Sequence, residues 1–310
     1  DGRRFFNPNG ANGQPFWRVP LMLFTPRTRW PPNVPVEQTH PPRVGPEDVV
    51  VTFIGHASFL LQTAGVNLLI DPVYAERASP FSFIGPRRVR APGVRFDDLP
   101  PISCVLLSHN HYDHCDLVAL RELDRRFHAP IVTPIGNGRL LRSAGIQHIE
   151  ELDWWENAHT APLPITLTPA QHFSARHLFD RNRALWAGFL IEASGRRILF
   201  AGDTGYGAHF REMAARLSPI DFALIPIGAY EPRWFMKDIH MNPAEAVQAH
   251  LDLAATESLA MHFGTFQLTP EGIDDPPREL GKALLERGVP AERFKVVAVG
   301  ESVWVRRQAG

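Results

Sequence analysis

The sequence predicts a layered α/β fold with sheets inside and helices outside. Short apolar or alternating runs recur along the chain between turn residues, which is how buried and half-buried strands read. From residue 102 onward these runs alternate with amphipathic three- and four-residue repeats, the order that layered α/β domains follow. With 310 residues and 44% hydrophobic content, one large domain with a substantial core is the simplest arrangement.

Residues 1–47 are dense in Pro and Asn and carry no sustained periodicity, so they read as an extended arm. Trp17, Leu21, Met22 and Phe24 within it argue for packing on the domain, because a free tail would lack such residues. The domain proper is expected over 48–310. Strands are expected at 49–54, 59–62, 66–70, 102–107, 131–133, 165–168, 185–192, 197–201, 222–227, 258–261, 294–298 and 302–305. Helices are expected around Leu117, Leu120, Leu123 and Phe127, and over 209–217, 243–253 and 277–287.

A formal net charge of -1 supplies no global field toward nucleic acid or anionic surfaces. No basic stripe with interleaved aromatics appears either, so no nucleic-acid partner is expected. No run reaches the roughly 18 apolar residues of a membrane span. The chain starts at Asp1 rather than Met, which leaves a preceding targeting segment and the cell compartment open; a soluble or peripheral protein is expected. Cys104 and Cys115 are too few for a disulfide framework and are read as packing residues.

The run His109-Asn110-His111-Tyr112-Asp113-His114 places three imidazoles and a carboxylate within six residues, between a strand end and a helix start. Imidazole nitrogen and carboxylate oxygen suit zinc, iron or manganese. At the chain's own His and Asp frequencies, chance would give this spacing about once in a thousand sequences, which makes a merely solvated turn a poor reading. Two metals need more groups than one turn supplies. His172, Asp203 and His262 each lie just past an apolar strand, at the edge where α/β sheets place their sites.

With these residues in view, the chain resembles the metallo-β-lactamase superfamily over roughly residues 49–305. Local strings are similar to its N-acyl-phosphatidylethanolamine phospholipase D-like branch: Gly55-His56-Ala57-Ser58, Leu69-Ile70-Asp71-Pro72, Gly228-Ala229-Tyr230-Glu231-Pro232, His240-Met241-Asn242-Pro243 and His262-Phe263-Gly264-Thr265. The resemblance implies a four-layer αββα sandwich with two divalent metals, zinc first and manganese or iron as alternatives. It further implies that His109, His111 and His172 hold one metal, that Asp113, His114 and His262 hold the other, and that Asp203 bridges them. A hydroxide between the metals would then be the nucleophile, with Asp113, Asp203 and His240 as the catalytic groups.

Asp71, at the end of an apolar strand, is expected to accept from a ligand imidazole, and His56 to stand in the same outer shell. By resemblance His240 contacts the scissile group. The substrate rim is expected from Phe81, Phe83, Arg87 and Arg88 on one loop and from Tyr230, Trp234 and Phe235 on another, a mixture suited to an amphipathic anion.

The favoured activity is phosphodiester hydrolysis of an N-acyl-phosphatidylethanolamine-like glycerophospholipid. Lactone or β-lactam opening at the same metal pair is the alternative, and a non-catalytic metal-binding module is the alternative of another class. The expected partners are a phospholipid or small-molecule substrate, a peripheral membrane contact and, from the resembled branch, a homodimer.

Overall fold

The computed structural model describes residues 4–11, 13–177 and 179–307; Asp1, and the question attached to it, lies outside them. Two sheets repeat one plan. In the first, β1 (Val49–Gly55), β2 (Ser58–Thr63) and β3 (Val66–Ile70) form an antiparallel meander. Then β4 (Cys104–Leu106), β5 (Ile131–Pro134) and β6 (Ile149–Leu152) extend it in parallel. In the second, β7 (Ile165–Thr168), β8 (Gly188–Ala193) and β9 (Arg196–Phe200) make the meander, and β10 (Phe222–Pro226), β11 (Glu257–Met261) and β12 (Phe294–Lys295) continue in parallel. β13 (Ser302–Trp304) returns to pair with β1.

Corresponding hairpins use the same device. Ala64-Gly65 joins β2 to β3 and Ser194-Gly195 joins β8 to β9, and all four residues have positive φ, from 43° to 82°. A two-residue turn with both φ positive matches the twist of paired strands, which fixes both registers.

Pleating then sorts the side chains. Phe59, Leu61 and Leu68 face the second sheet and meet Phe189, Ile198 and Phe200; the Phe59 and Phe200 rings lie edge to face at 6.4 Å. Their neighbours Leu60, Leu69 and Val105 point outward, against Leu120 and Leu123 of α2 (Leu117–Phe127) and Leu141 of α3 (Gly138–Ser143). The second sheet is covered by α4 (His209–Leu217), α6 (Pro243–Asp252) and α7 (Asp275–Arg287), through Phe210, Met213, Val247, Leu280 and Leu284. The result is the αββα sandwich. Each buried Leu or Phe stabilises it by roughly 1.5–3 kcal/mol relative to exposure.

Several elements differ from expectation. The arm is not extended throughout, since it contains α1 (Val19–Leu23). The short α3, the single turn α5 (Arg233–Met236) and the edge strand β6 were not anticipated. The run at 185–192 joins the ladder only at Gly188, because Leu185 and Ala187 donate instead to Ile135 and Ser108 in the first sheet's loops. A Cβ at Gly188 would collide with the Phe200 carbonyl, so the strand enters where only Gly fits. Among the described residues no helix is long and apolar enough to cross a membrane.

Candidate metal centre

The expected metal ligands converge on one edge, beyond the carboxyl ends of the parallel strands. His109 to His114 fill the tight turn between β4 and α2, closed by Cys115 N–H donating to the His111 carbonyl at 2.8 Å. Asp116 ends that turn as the N-cap of α2, accepting from Val118 and Ala119. His172 follows β7, Asp203 follows β9 through Gly202, and His262 follows β11 directly. His56, Asp71 and His262 all have left-handed backbones, with φ of 58°, 41° and 61°. Such positions cost about 1–3 kcal/mol each and persist only where the surroundings over-determine them. Gly228, after β10, is required for packing: a Cβ there would run into the His262 carbonyl.

Two four-residue groups of ligand atoms stand out among the described residues. One comprises His109, His111, His172 and Asp203, and the other His56, Asp113, His114 and His262; within each group the atoms lie within 4.8 Å of one another. His111 Nδ1 sits 2.9 Å from His109 Nε2 and 3.2 Å from His172 Nε2. Ligand nitrogens on a tetrahedral zinc would stand roughly 3.3 Å apart. Asp203 Oδ2 lies 3.0 Å from His262 Nε2, 3.1 Å from His114 Nε2, 3.7 Å from His172 Nε2 and 3.9 Å from His109 Nε2. It therefore reaches both groups, the position a shared ligand would occupy.

The outer contacts fix the ring orientations. His114 Nδ1–H donates to Asp71 at 2.7 Å, which leaves Nε2 as the lone pair. His109 Nδ1–H donates to Ser108 Oγ at 2.9 Å, and that hydroxyl donates to Asp71 at 2.5 Å. One carboxylate thus orients a histidine in each group. His172 Nδ1–H donates to the Ile239 carbonyl at 2.9 Å, and His56 Nε2–H to Asp113 at 3.0 Å. His114 Nε2, His262 Nε2 and Asp203 Oδ1 are buried without any hydrogen-bond partner among the described residues. Orphaned acceptors facing one another in a dry site are satisfied by a cation, so the residues fit a divalent metal pair.

Charge agrees with that fit. Burial pushes His111 down to about 3 and His172 down to about 4, so both are neutral ligands at pH 7. Burial would raise Asp113 and Asp203, yet the adjacent His114 and His262 hold both well below the usual carboxylate range. Burial would in turn lower His114 and His262, yet Asp203 and Asp113 raise both, His262 to about 9, so these two rings carry protons that a metal would displace.

A cavity of 780 Å³ opens onto His111. Its walls include Val19 and Gln14 of the arm, Phe81, the residues Phe173, Arg176, Phe179 and Arg181 that follow His172, and Phe235 and Ile239. Of the expected rim, Phe81 and Phe235 are in the wall, Phe83 lies against Phe81 at 5.6 Å, and half-exposed Trp234 stands edge-on to Phe235. Arg87, Arg88 and Tyr230 do not line this cavity. Arg88 is half-buried, donates to the Val73 and Ala75 carbonyls and lies over Phe266, so its guanidinium is spent on the protein. Arg87 pairs with Glu76 on the exposed loop, and Tyr230 lines a separate polar cavity with Glu231 and Glu271.

The cations beside the cavity are instead Arg176 and Arg181. Arg176 lies 3.9 Å from the Tyr112 ring and donates to the Asn110 and Cys115 carbonyls, clamping the histidine turn. Neither arginine was singled out from the sequence. The available signal was a segment with two Phe and two Arg directly after His172.

The Beta-lactamase superfamily domain family matches residues 66–263. An uncharacterized protein of Mycobacterium tuberculosis is 41% identical over 237 residues, which is 75% of this chain and 63% of that protein, so the chain spans under two thirds of that relative's length. N-acyl-phosphatidylethanolamine-hydrolyzing phospholipase D 1 of Caenorhabditis elegans is 37% identical over 266 residues, covering 82% of this chain and 74% of that protein. Among solved structures, a metallo hydrolase from the archaeon Ignicoccus hospitalis superposes with a TM-score of 0.64 at 25% identity, covering 84% of this chain and 100% of that one. The chain therefore belongs to the metallo-β-lactamase superfamily, in its N-acyl-phosphatidylethanolamine phospholipase D-like branch.

Proposed function

We propose that this hydrolase cleaves the phosphodiester bond of an N-acyl-phosphatidylethanolamine-like glycerophospholipid, as a phospholipase D does. The observation that carries the reading is the cavity on His111, whose Phe81, Phe173, Phe179 and Phe235 suit acyl chains while Arg181 beside them suits a phosphate. The name of the Caenorhabditis elegans relative supports it. Exposed Phe83, Phe179 and Trp234 stand in or beside the cavity wall, which fits a lipid surface as the partner.

In this reading two zinc ions would be held by His109, His111 and His172 and by Asp113, His114 and His262, with Asp203 shared. Such ions supply an acidified water and polarise a phosphoryl oxygen. The chain's own residues do the rest. Asp113, itself held by His56, orients the water, and Asp71 keeps the His109 and His114 lone pairs turned inward. His240 is buried, and its Nε2 lies 3.9 Å from Asp203. Burial holds its pKa well below the ordinary value, so it serves as a neutral N–H donor to the phosphoryl oxygen rather than as a cationic acid. Water's hydroxyl joins phosphorus, the P–O bond to the ethanolamine side breaks, and its oxygen leaves with a proton.

The test is turnover by metal-loaded protein on N-acyl-phosphatidylethanolamine, phosphatidylcholine, a lactone and a β-lactam, with bis(p-nitrophenyl) phosphate as a generic diester. Preferential cleavage of the N-acylated lipid at the ethanolamine-side bond is expected. Faster lactone or β-lactam opening, with no lipid product, would replace this reading.

A further inference from the structure

Asn7 belongs to the arm, yet it is only 2% exposed, and its side chain meets the main chain of His172 on both edges. Nδ2 donates to the His172 carbonyl at 2.8 Å, and Oδ1 accepts from the His172 N–H at 3.2 Å. The remaining Nδ2 proton goes to the Ala11 carbonyl. One carboxamide therefore faces two carbonyls with its nitrogen and one N–H with its oxygen. Among side chains of this length only Asn supplies that fork; an aspartate would set a carboxylate oxygen against two carbonyl oxygens.

The surrounding bonds lead to the same place. Asn9 donates to Gln171 Oε1 at 2.6 Å, Gln171 N–H donates to Thr204 Oγ1 at 2.8 Å, and Gly205 N–H donates to the Gln171 carbonyl at 2.8 Å. The arm is thereby joined to the loops of both His172 and Asp203. The His172 ring is tied elsewhere, to Ile239, so backbone and imidazole are fixed by different segments. Gln14 and Val19, slightly further along the arm, wall the cavity that opens on His111.

We propose that Asn7 is a positioning residue for the metal centre, through which the N-terminal arm holds His172 in its ligating pose. The inference rests on the reading of His109, His111 and His172 as one metal's ligands. Losing a contact that orients a ligand typically costs 10–100-fold in metal affinity. Because Asn7 touches only the His172 side, the loss falls on one of two metals. A general loss of stability would not produce that asymmetry.

The test is cobalt(II) titration of the metal-free full chain, following visible absorption and competition with a chelator. Comparison is made among wild type, Asn7→Ala, Asn7→Asp and Leu284→Ala, the last a buried core residue of α7 that belongs neither to the Asn7 contacts nor to the ligands. Wild type is expected to bind two ions. Asn7→Ala and Asn7→Asp are expected to weaken one step by roughly 10–100-fold, shift its absorption band and leave the other step within about twofold. Leu284→Ala is expected to lower Tm while leaving both steps unchanged. If Asn7→Ala does not fold, Asn7→Asp, an oxygen for a nitrogen, gives the same readout. Unchanged affinities in the Asn7 variants, or equal losses in both steps, overturn the proposal. Fewer than two ions in wild type would instead overturn the ligand assignment, and Asn7 would have no centre to position.

Discussion

Replacing Asp71 by Asn should weaken metal binding without disturbing the fold. Asn is tolerated in the left-handed backbone that Asp71 adopts at φ 41°, and the side chain keeps its volume, so the substitution isolates the carboxylate. The carboxylate accepts three hydrogen bonds: from Ser108 N–H at 2.7 Å, Ser108 Oγ at 2.5 Å and His114 Nδ1–H at 2.7 Å. An amide offers only one oxygen. If that oxygen keeps the Ser108 N–H, its NH₂ confronts two donors, and His114 must move its proton to Nε2, the atom that faces Asp203. A hydrogen bond to a charged group contributes about 1.5–3 kcal/mol. Since about 1.4 kcal/mol is tenfold, affinity at the His114 site should fall roughly 10–150-fold. Because Ser108 relays the same carboxylate to His109, the other step should weaken too, though by less. Chelator competition measures both constants, and turnover of bis(p-nitrophenyl) phosphate at rising metal shows how far saturation restores the rate. Two unchanged constants would refute the chain of reasoning from Asp71 to the ligand lone pairs.

Three other outcomes are expected. His240→Ala should lower kcat by roughly 100-fold with metal content unchanged, because it removes a donor without removing a ligand; equal kcat would remove His240 from the chemistry. Phe179→Ala should raise KM for a long-chain lipid about fivefold, the equivalent of about 1 kcal/mol of lost apolar contact, and leave a short soluble diester unaffected. His250, in α6 and hydrogen-bonded to Ser258 at 2.8 Å, is pushed by burial to about 4 from an ordinary 6.5. The unfolded chain binds that proton first as pH falls, so this group's contribution is complete above pH 6.5 and is lost on descent to pH 4. The loss is roughly 3 kcal/mol at most. His250→Gln, which cannot titrate, should flatten the pH dependence of Tm in that window, and an unaltered slope would exclude His250 as its source.

The features legible in the sequence were those that need only local information. Strand runs such as residues 66–70 and 222–227 announce themselves by composition, and the histidine turn is one contiguous string. His172, Asp203 and His262 were legible because strand ends of a sheet with parallel strands share an edge. The short α3 and α5 were not, since helices of so few residues are held by packing rather than by their own pattern. β6 is a polar edge strand, Ile-Glu-Glu-Leu, whose composition resembles a loop. The lining of the cavity on His111 was not legible for a different reason. Arg88 and Arg176 look alike in a sequence, and only the fold shows that Arg88 is consumed by carbonyls under its own loop whereas Arg176 holds the histidine turn beside the cavity. Asn7 is the extreme case, because its partner is 165 positions away.

The ligand residues are divided between the two sheets: His109, His111, Asp113 and His114 leave the first, whereas His172, Asp203 and His262 leave the second. Ions bound there would act as non-covalent cross-links at the open rim of the sandwich, and inter-sheet docking would become a partner in metal affinity. Thermodynamic reciprocity makes the converse hold: an ion at a hundred times its Kd would stabilise the closed rim by about 2.7 kcal/mol. Chelation should accordingly accelerate amide exchange first at the carboxyl ends of β4, β9 and β11. The interleaved Phe59 and Phe200 layer beneath should stay protected, so that the protein loosens from its catalytic edge inward.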